Sequence, residues 1–119
     1  MPPAAMPPVI HVIDVAHPAR DPAAVEAELL EGWSHVRNSK ELRILKIIHG
    51  RGSSGKGGVI REQVRNWAYR NQQRFPAVVL GETYDLFNPV VQEMRKIVGE
   101  YDDNDIGRGN SGVILIWIK

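Results

Sequence analysis

Six consecutive apolar residues, Val113-Ile114-Leu115-Ile116-Trp117-Ile118, constrain this chain more than any other feature. Rich in β-branched side chains and free of charge, the run predicts a strand in the interior of a sheet. Three more segments share its character: Val9 to Val15, Leu42 to Ile48 and Pro76 to Gly81. Between them the apolar residues recur at helical spacing. Asp21-Pro22 supplies an N-cap and a first-turn proline, followed by Val25, Leu29, Trp33 and Val36 up to a break at Asn38-Ser39. A second helix is expected from about Val59 to Arg70, burying Ile60, Val64, Trp67 and Ala68. Asn88-Pro89 opens a third, with Val90, Val91, Met94, Ile97 and Val98 on its apolar face and Gly99 at its end. The order βαβαβαβ predicts an α/β fold, a two-layer sandwich on a four-stranded mixed sheet. A length of 119 residues suits one domain, over 9–119, after a proline-rich lead-in at 1–8.

The chain has no cysteine, which excludes disulfides, thiolate metal sites and a cysteine nucleophile. The opening Met1-Pro2-Pro3-Ala4-Ala5-Met6-Pro7-Pro8 lacks the charge and the apolar stretch of a signal or transit peptide. No segment approaches the roughly 18 apolar residues of a membrane span. A soluble, intracellular and cytoplasmic protein is expected, with no membrane partner; the proline-rich start fits fusion to, or association with, a larger protein.

Charge is distributed unevenly. Lys40, Arg43, Lys46, Arg51, Lys56, Arg61, Arg65, Arg70 and Arg74 face only Glu41 and Glu62 in the same stretch, a local net charge of +7, while the rest of the chain carries −6. Clustered cations beside an acidic remainder are the footprint of polyanion binding, unless they are spread over solvated helix faces. Within the cluster, Gly50-Arg51-Gly52-Ser53-Ser54-Gly55-Lys56 matches G-x-x-x-x-G-K between a strand and a helix. Gly57 stands where a nucleotide-binding P-loop needs Ser or Thr for magnesium, and no later strand ends in an aspartate, so nucleotide hydrolysis is set aside. The physics of the loop survives. Its glycines let backbone N–H groups converge, the following helix N-terminus adds partial positive charge, and Arg51 and Lys56 add full charges.

The surrounding residues carry a more specific likeness. Ile47-Ile48-His49-Gly50-Arg51-Gly52, the Gly/Ser/Lys loop and the helix with Val64 and Trp67 together resemble the Smr (small MutS-related) domain. Gly107-Arg108-Gly109-Asn110-Ser111-Gly112 leading into Val113 is similar to that family's glycine-rich turn into its last strand. Ile13-Asp14 matches the start of its L-D-x-H-G motif, but the family histidine falls on Ala16 and the glycine on His17. The resemblance covers about Val9 to Ile118 and implies a nucleic-acid-binding domain, in some members an endonuclease acting on branched DNA or on RNA. By this likeness the H-G-x-G motif maps onto His49, Gly50, Arg51 and Gly52, and the lost histidine at Ala16 bears on cleavage.

Phosphodiester hydrolysis needs a nucleophile, a proton acceptor and cations where charge develops. Asp14 and His49 each end a strand and can face one crevice. Asp14 is the candidate base or metal ligand, and His49 or His17 the proton shuttle. Arg51 and Lys56 are placed to stabilise the phosphate, with Gly50 and Gly52 opening the backbone and Arg61 and Arg65 on the next helix as further nucleic-acid contacts. Metal use is open between none and magnesium or manganese. Each residue also has a plainer role: Asp14 as a cap on backbone N–H groups, His49 as a hydrogen-bonded loop residue, His11 as part of the strand, His35 as a solvent-facing residue. Trp33 and Trp67 are expected in the core, and Tyr69 and Phe75 are the stacking candidates. Asp102-Asp103-Asn104-Asp105 lacks the glycine and distal glutamate of a calcium loop and is expected to be a solvated turn. Two functions therefore compete: an endonuclease nicking structured DNA or RNA, and a non-cleaving nucleic-acid-binding module. A protein-interaction domain is a more distant third.

Overall fold

The computed structural model describes residues 8–52 and 56–119, with the backbone alone for 56 and 57. The proline-rich lead-in up to Pro7, loop residues Ser53 to Gly55 and the Lys56 side chain lie outside the described residues. The elements follow the expected order: β1 (Ile10–Asp14), α1 (Pro22–Asn38), β2 (Ile44–Ile48), α2 (Lys56–Arg70), β3 (Ala77–Leu80), α3 (Pro89–Val98) and β4 (Val113–Trp117). Both sequence-read caps form. The Asp21 carboxylate accepts from Ala24 N at 2.8 Å and the Asn88 side chain from Val90 N at 2.9 Å, satisfying N–H groups that a helix start leaves without partners. Helix α2 begins three residues before the expected start, since Gly57 and Gly58 lower helix propensity without forbidding it.

The four strands form one mixed sheet in the order β1-β2-β4-β3. β1 runs parallel to β2, with Asp14 opposite Ile48. β4 is antiparallel to both neighbours, pairing Ile48 with Val113 and Leu80 with Ile114. The last strand is therefore interior, and every residue in it is buried, as its uninterrupted apolar composition requires. Helices α1 and α2 form the helical layer of the sandwich. Val25, Leu29, Val36, Ile60, Val64 and Trp67 meet Leu45, Ile47, Ile114 and Ile116 there. The opposite face is covered by α3 and the segments on either side of it, where Tyr84, Val91, Met94 and Tyr101 meet Ile44, Leu115 and Trp117.

Two apolar assignments change. Phe75 is no stacking platform: it is buried, its ring centroid 5.1 Å from Trp33 and 6.0 Å from Trp67, and closes the core those tryptophans were expected to join. Only Tyr69 of that pair is exposed. On α3, Val91 and Met94 are buried but Val90 and Ile97 are about half exposed, because the apolar stripe is wider than the contact this short helix makes with the sheet.

The chain leaves β3 through one turn of 3₁₀-helix, Gly81–Thr83, packed against the approach to β4. A Cβ at Gly81 would fall on the Asn110 carbonyl oxygen and lie 2.8 Å from that of Val113, both of them backbone atoms that cannot rotate away. Gly81→Ala is expected to lower stability by about 1–3 kcal/mol, read as a shift in the denaturant midpoint. An unshifted midpoint would show that this approach can yield. Among the described residues no helix is long and apolar enough to cross a membrane.

Candidate functional site

The C-terminal ends of β1, β2 and β3 and the N-terminal end of β4 lie along one edge of the sheet. Four loops crowd there. After β1, Asp14 Oδ1 accepts from Ala16 N at 2.9 Å and His17 N at 3.0 Å, the capping role open to a strand-end aspartate. That turn folds His17 back, so that its Nδ1 lies 3.0 Å from Asp14 Oδ2. A neutral imidazole held this way donates Nδ1–H to the carboxylate and keeps the Nε2 lone pair available, which is how a carboxylate orients a general base. The His17 side chain is 69% exposed, so the pair opens to solvent. The residue where the Smr motif has histidine, Ala16, sits instead against the glycine loop: a Cβ on Gly50 would lie 3.5 Å from the Ala16 methyl.

After β2 the chain turns through Gly50 and Gly52 at φ of 79° and 71°, the left-handed region that glycine enters without a Cβ penalty. Gly50 N donates to the Gly112 carbonyl at 3.1 Å, which fastens the turn to the approach to β4. Arg51, between the two glycines, is exposed. Before β4 the same device recurs: Gly107 and Gly109 adopt φ of 79° and 60° and present exposed Arg108. No atom crowds either of these glycines, so backbone conformation alone accounts for them. The two Gly-Arg-Gly turns, 57 residues apart in sequence, supply Arg51 and Arg108 to one open cleft of about 640 Å³, which Asn104, Asp105 and Asn110 also line. Two guanidinium groups and the exposed Asn104 amide make a donor-rich wall suited to an anion with several oxygens. The one carboxylate in it is occupied, since Asp105 pairs with Lys46 at 2.6 Å and accepts from Asn110 at 2.9 Å.

Several sequence-assigned residues are committed elsewhere. His49 is fully buried. Its Nδ1–H donates to the Gly50 carbonyl at 2.7 Å, and Arg65 Nε donates to its Nε2 at 3.3 Å, which together require the neutral ring. Burial, aided by the charges of Arg65 and Arg61, brings its pKa down to about 4 against the opposing bond to Gly50. His49 is thus a loop brace; of the two histidines expected at this edge, only His17 has an exposed ring. Arg65 is not available to a polyanion either. It grips Glu82 through two bonds of 2.8 and 2.6 Å and also donates to the Ser111 carbonyl at 3.1 Å. In return Arg65, with Arg61 behind it, brings the Glu82 carboxyl down to about 2, against a smaller burial penalty. Arg61 reaches Ser111 O at 3.3 Å and Glu82 at 3.6 Å and keeps about a third of its side chain exposed. Glu82, which the sequence did not single out, holds both arginines.

The acidic turn is solvated only in part: Asp102 and Asn104 are exposed, but Asp103 and Asp105 turn inward. Lys46 is buried on the face that α3 covers and pairs with Asp103 and Asp105, each at 2.6 Å. Tyr84 Oη donates to Asp103 at 3.1 Å. Burial alone would lower the Lys46 pKa, but the two aspartates outweigh it and hold it above the ordinary lysine value. The cationic tract therefore does not present a single face: Lys46 and Arg65 are spent inside the fold, and Arg51 survives from it at the cleft.

The structure thus brings together Asp14, His17, Gly50, Arg51 and Gly52 at the sheet edge, withdraws His49 and Arg65 into its bracing, and adds Arg108 with the two asparagines. The repeated tripeptide Gly-Arg-Gly was the sequence signal for Arg108. Among the described residues no group of three His, Asp or Glu side chains is gathered closely enough to hold a metal ion. His11 and His35 lie away from this edge beside α1, their ring centroids 4.5 Å apart. Compared with protein-family models, curated proteins and solved structures, the chain matches none.

Proposed function

We propose that this sheet edge binds the phosphodiester backbone of a nucleic acid, as its resemblance to the Smr domain implies. The observation that carries the reading is the pair of Gly-Arg-Gly turns directing Arg51 and Arg108 to one open cleft. Guanidinium groups match phosphate oxygens in shape as well as charge, and an open cleft admits a chain where a closed pocket would admit only a small anion. Binding of this kind is salt-sensitive, because each neutralised phosphate releases counterions. Fluorescence anisotropy with labelled DNA and RNA should show affinity that falls steeply with added salt. Arg51→Ala with Arg108→Ala should weaken binding about tenfold or more and flatten the salt dependence by about two charges, with the thermal midpoint unchanged. Unaltered affinity in that double variant removes the phosphate assignment.

A second reading, phosphodiester cleavage, is favoured by one observation: the Asp14–His17 pair at 3.0 Å, opening to solvent beside the glycine loop. In that reading Asp14 orients His17, and Nε2 takes the proton of the attacking hydroxyl or water. Incubation of labelled strands with and without magnesium or manganese decides between cutting and holding. Product that disappears in both Asp14→Asn and His17→Ala marks an endonuclease, while binding without product marks a non-cleaving module.

A further inference from the structure

Phe87 is 89% exposed, more than any other large apolar side chain among the described residues, and nothing in the core depends on it. An aromatic ring left in water by a loose loop would mean little, but this loop is tightly built. The Asp85 carboxylate accepts from Phe87 N at 2.9 Å and Asn88 N at 3.0 Å. Asn88 Nδ2 donates to the Thr83 carbonyl at 2.8 Å, and Gln92 Nε2 to the Leu86 carbonyl at 2.9 Å. The backbone beneath the ring is therefore fixed on both sides, and half-exposed Leu86 sits next to it. This loop also adjoins the phosphate cleft. Gly107 N donates to the Tyr84 carbonyl at 2.9 Å, so the turn carrying Arg108 is bonded to the segment carrying Phe87. Phe87 lies three positions after Tyr84, which limits that step to about 11 Å. An exposed aromatic ring on a fixed backbone thus belongs to the segment that is hydrogen-bonded to the glycine turn holding out Arg108.

We propose that Phe87, with Leu86 beside it, is a stacking platform for an unpaired base, and that the nucleic acid held at this edge is single-stranded where it crosses the platform. The inference rests on the phosphate reading of the Arg51–Arg108 cleft. A polyanion whose charges meet Arg108 and whose apolar faces meet Phe87 is a strand with its bases exposed; a duplex offers the charges but hides the faces. The alternative occupant is another protein, to which Phe87 and the half-exposed Val90 and Ile97 of α3 would offer an apolar surface. The bond between the Arg108 turn and the segment carrying Phe87 favours the strand.

The test compares a fluorescein-labelled mixed-sequence single strand with the blunt duplex made from it, as DNA and as RNA, against wild type, Phe87→Ala and Phe87→Trp. Phe87→Ala should weaken single-strand binding by about 5- to 100-fold and leave duplex binding within about twofold, while Phe87→Trp should retain single-strand affinity. The exposure of the ring predicts an unchanged melting temperature in both variants. Single-strand affinity that survives Phe87→Ala overturns the platform and leaves the phosphate cleft standing. A wild-type protein that binds neither probe overturns the cleft reading itself, and this inference with it. Loss of a dimer on size exclusion in Phe87→Ala, with nucleic-acid affinity unchanged, assigns the ring to a protein interface and also overturns the platform.

Discussion

Lys46→Ala is expected to destabilise the fold by about 3–5 kcal/mol, the cost of removing one partner from a buried charge cluster. Lys46 sits in a sheet interior, 7% exposed, with Asp103 Oδ1 and Asp105 Oδ2 each 2.6 Å from its ammonium group. Without it, two carboxylates remain on a face whose other members are Ile44, Leu115 and Trp117. Asp103 keeps a bond from Tyr84 and Asp105 one from Asn110, but a hydrogen bond does not replace a cation for a desolvated anion. The cluster also carries the loop to the cleft, since Asp105 lies three residues before Arg108. Weaker nucleic-acid binding should therefore accompany the lost stability. Combining Lys46→Met with Asp103→Asn and Asp105→Asn should recover a substantial part of the loss, because no charge is then stranded. Chemical denaturation of the three proteins gives the comparison; a loss below about 1 kcal/mol in Lys46→Ala would mean that water already reaches the cluster.

Acid should destabilise the protein in a window set by His49. The buried ring is neutral in the fold with its pKa brought down to about 4, against 6.5 in the unfolded chain. Above pH 6.5 neither state is protonated, and the contribution is fully present. As pH falls from 6.5 towards 4, the unfolded chain takes up a proton that the folded ring refuses, so stability declines, by about 3 kcal/mol across the window. Below 4 the folded ring titrates as well and adds no further loss. His11, whose pKa burial also lowers, acts in the same direction, so the variant decides the attribution. His49→Asn keeps a donor towards the Gly50 carbonyl and removes the titration; it should be less stable at neutral pH and should lose most of the slope between 4 and 6.5. A slope equal to wild type's would clear His49 of the effect. As pH falls from 4.5 to about 2 a second decline is expected, because the unfolded chain protonates Glu82 while Arg65 and Arg61 still hold the folded carboxylate charged.

These two effects involve residues whose surroundings no local pattern announces. Asp14 was readable as a cap because its acceptors' donors, Ala16 and His17, follow within three residues. The same proximity gave its pairing with His17 a short path. His49, by contrast, ends a strand next to a glycine loop in sequence, which is where a catalytic histidine would also stand. Only Arg65 reaching it from α2 and the Gly112 carbonyl fastening its backbone make it a brace. Arg65 read as a phosphate contact because its basicity is local and its partner Glu82 is 17 residues away. The acidic turn read as solvated because its counter-ion, Lys46, is 57 residues distant.

By itself the sequence determined what short-range physics governs: the alternation of strands and helices, the caps at Asp21 and Asn88, the interior place of β4, and the glycine turns that need a left-handed backbone. Each follows from steric preference, hydrogen bonding within a few residues, or the burial a wholly apolar strand demands. Tertiary structure decided which charges remain for a partner. Pairing depends on which distant segments the sheet order β1-β2-β4-β3 sets side by side, and that order joined the two Gly-Arg-Gly turns at one cleft while closing Lys46 and Arg65 inside. A cation's sequence neighbours give its sign, but its availability is fixed by what folds against it.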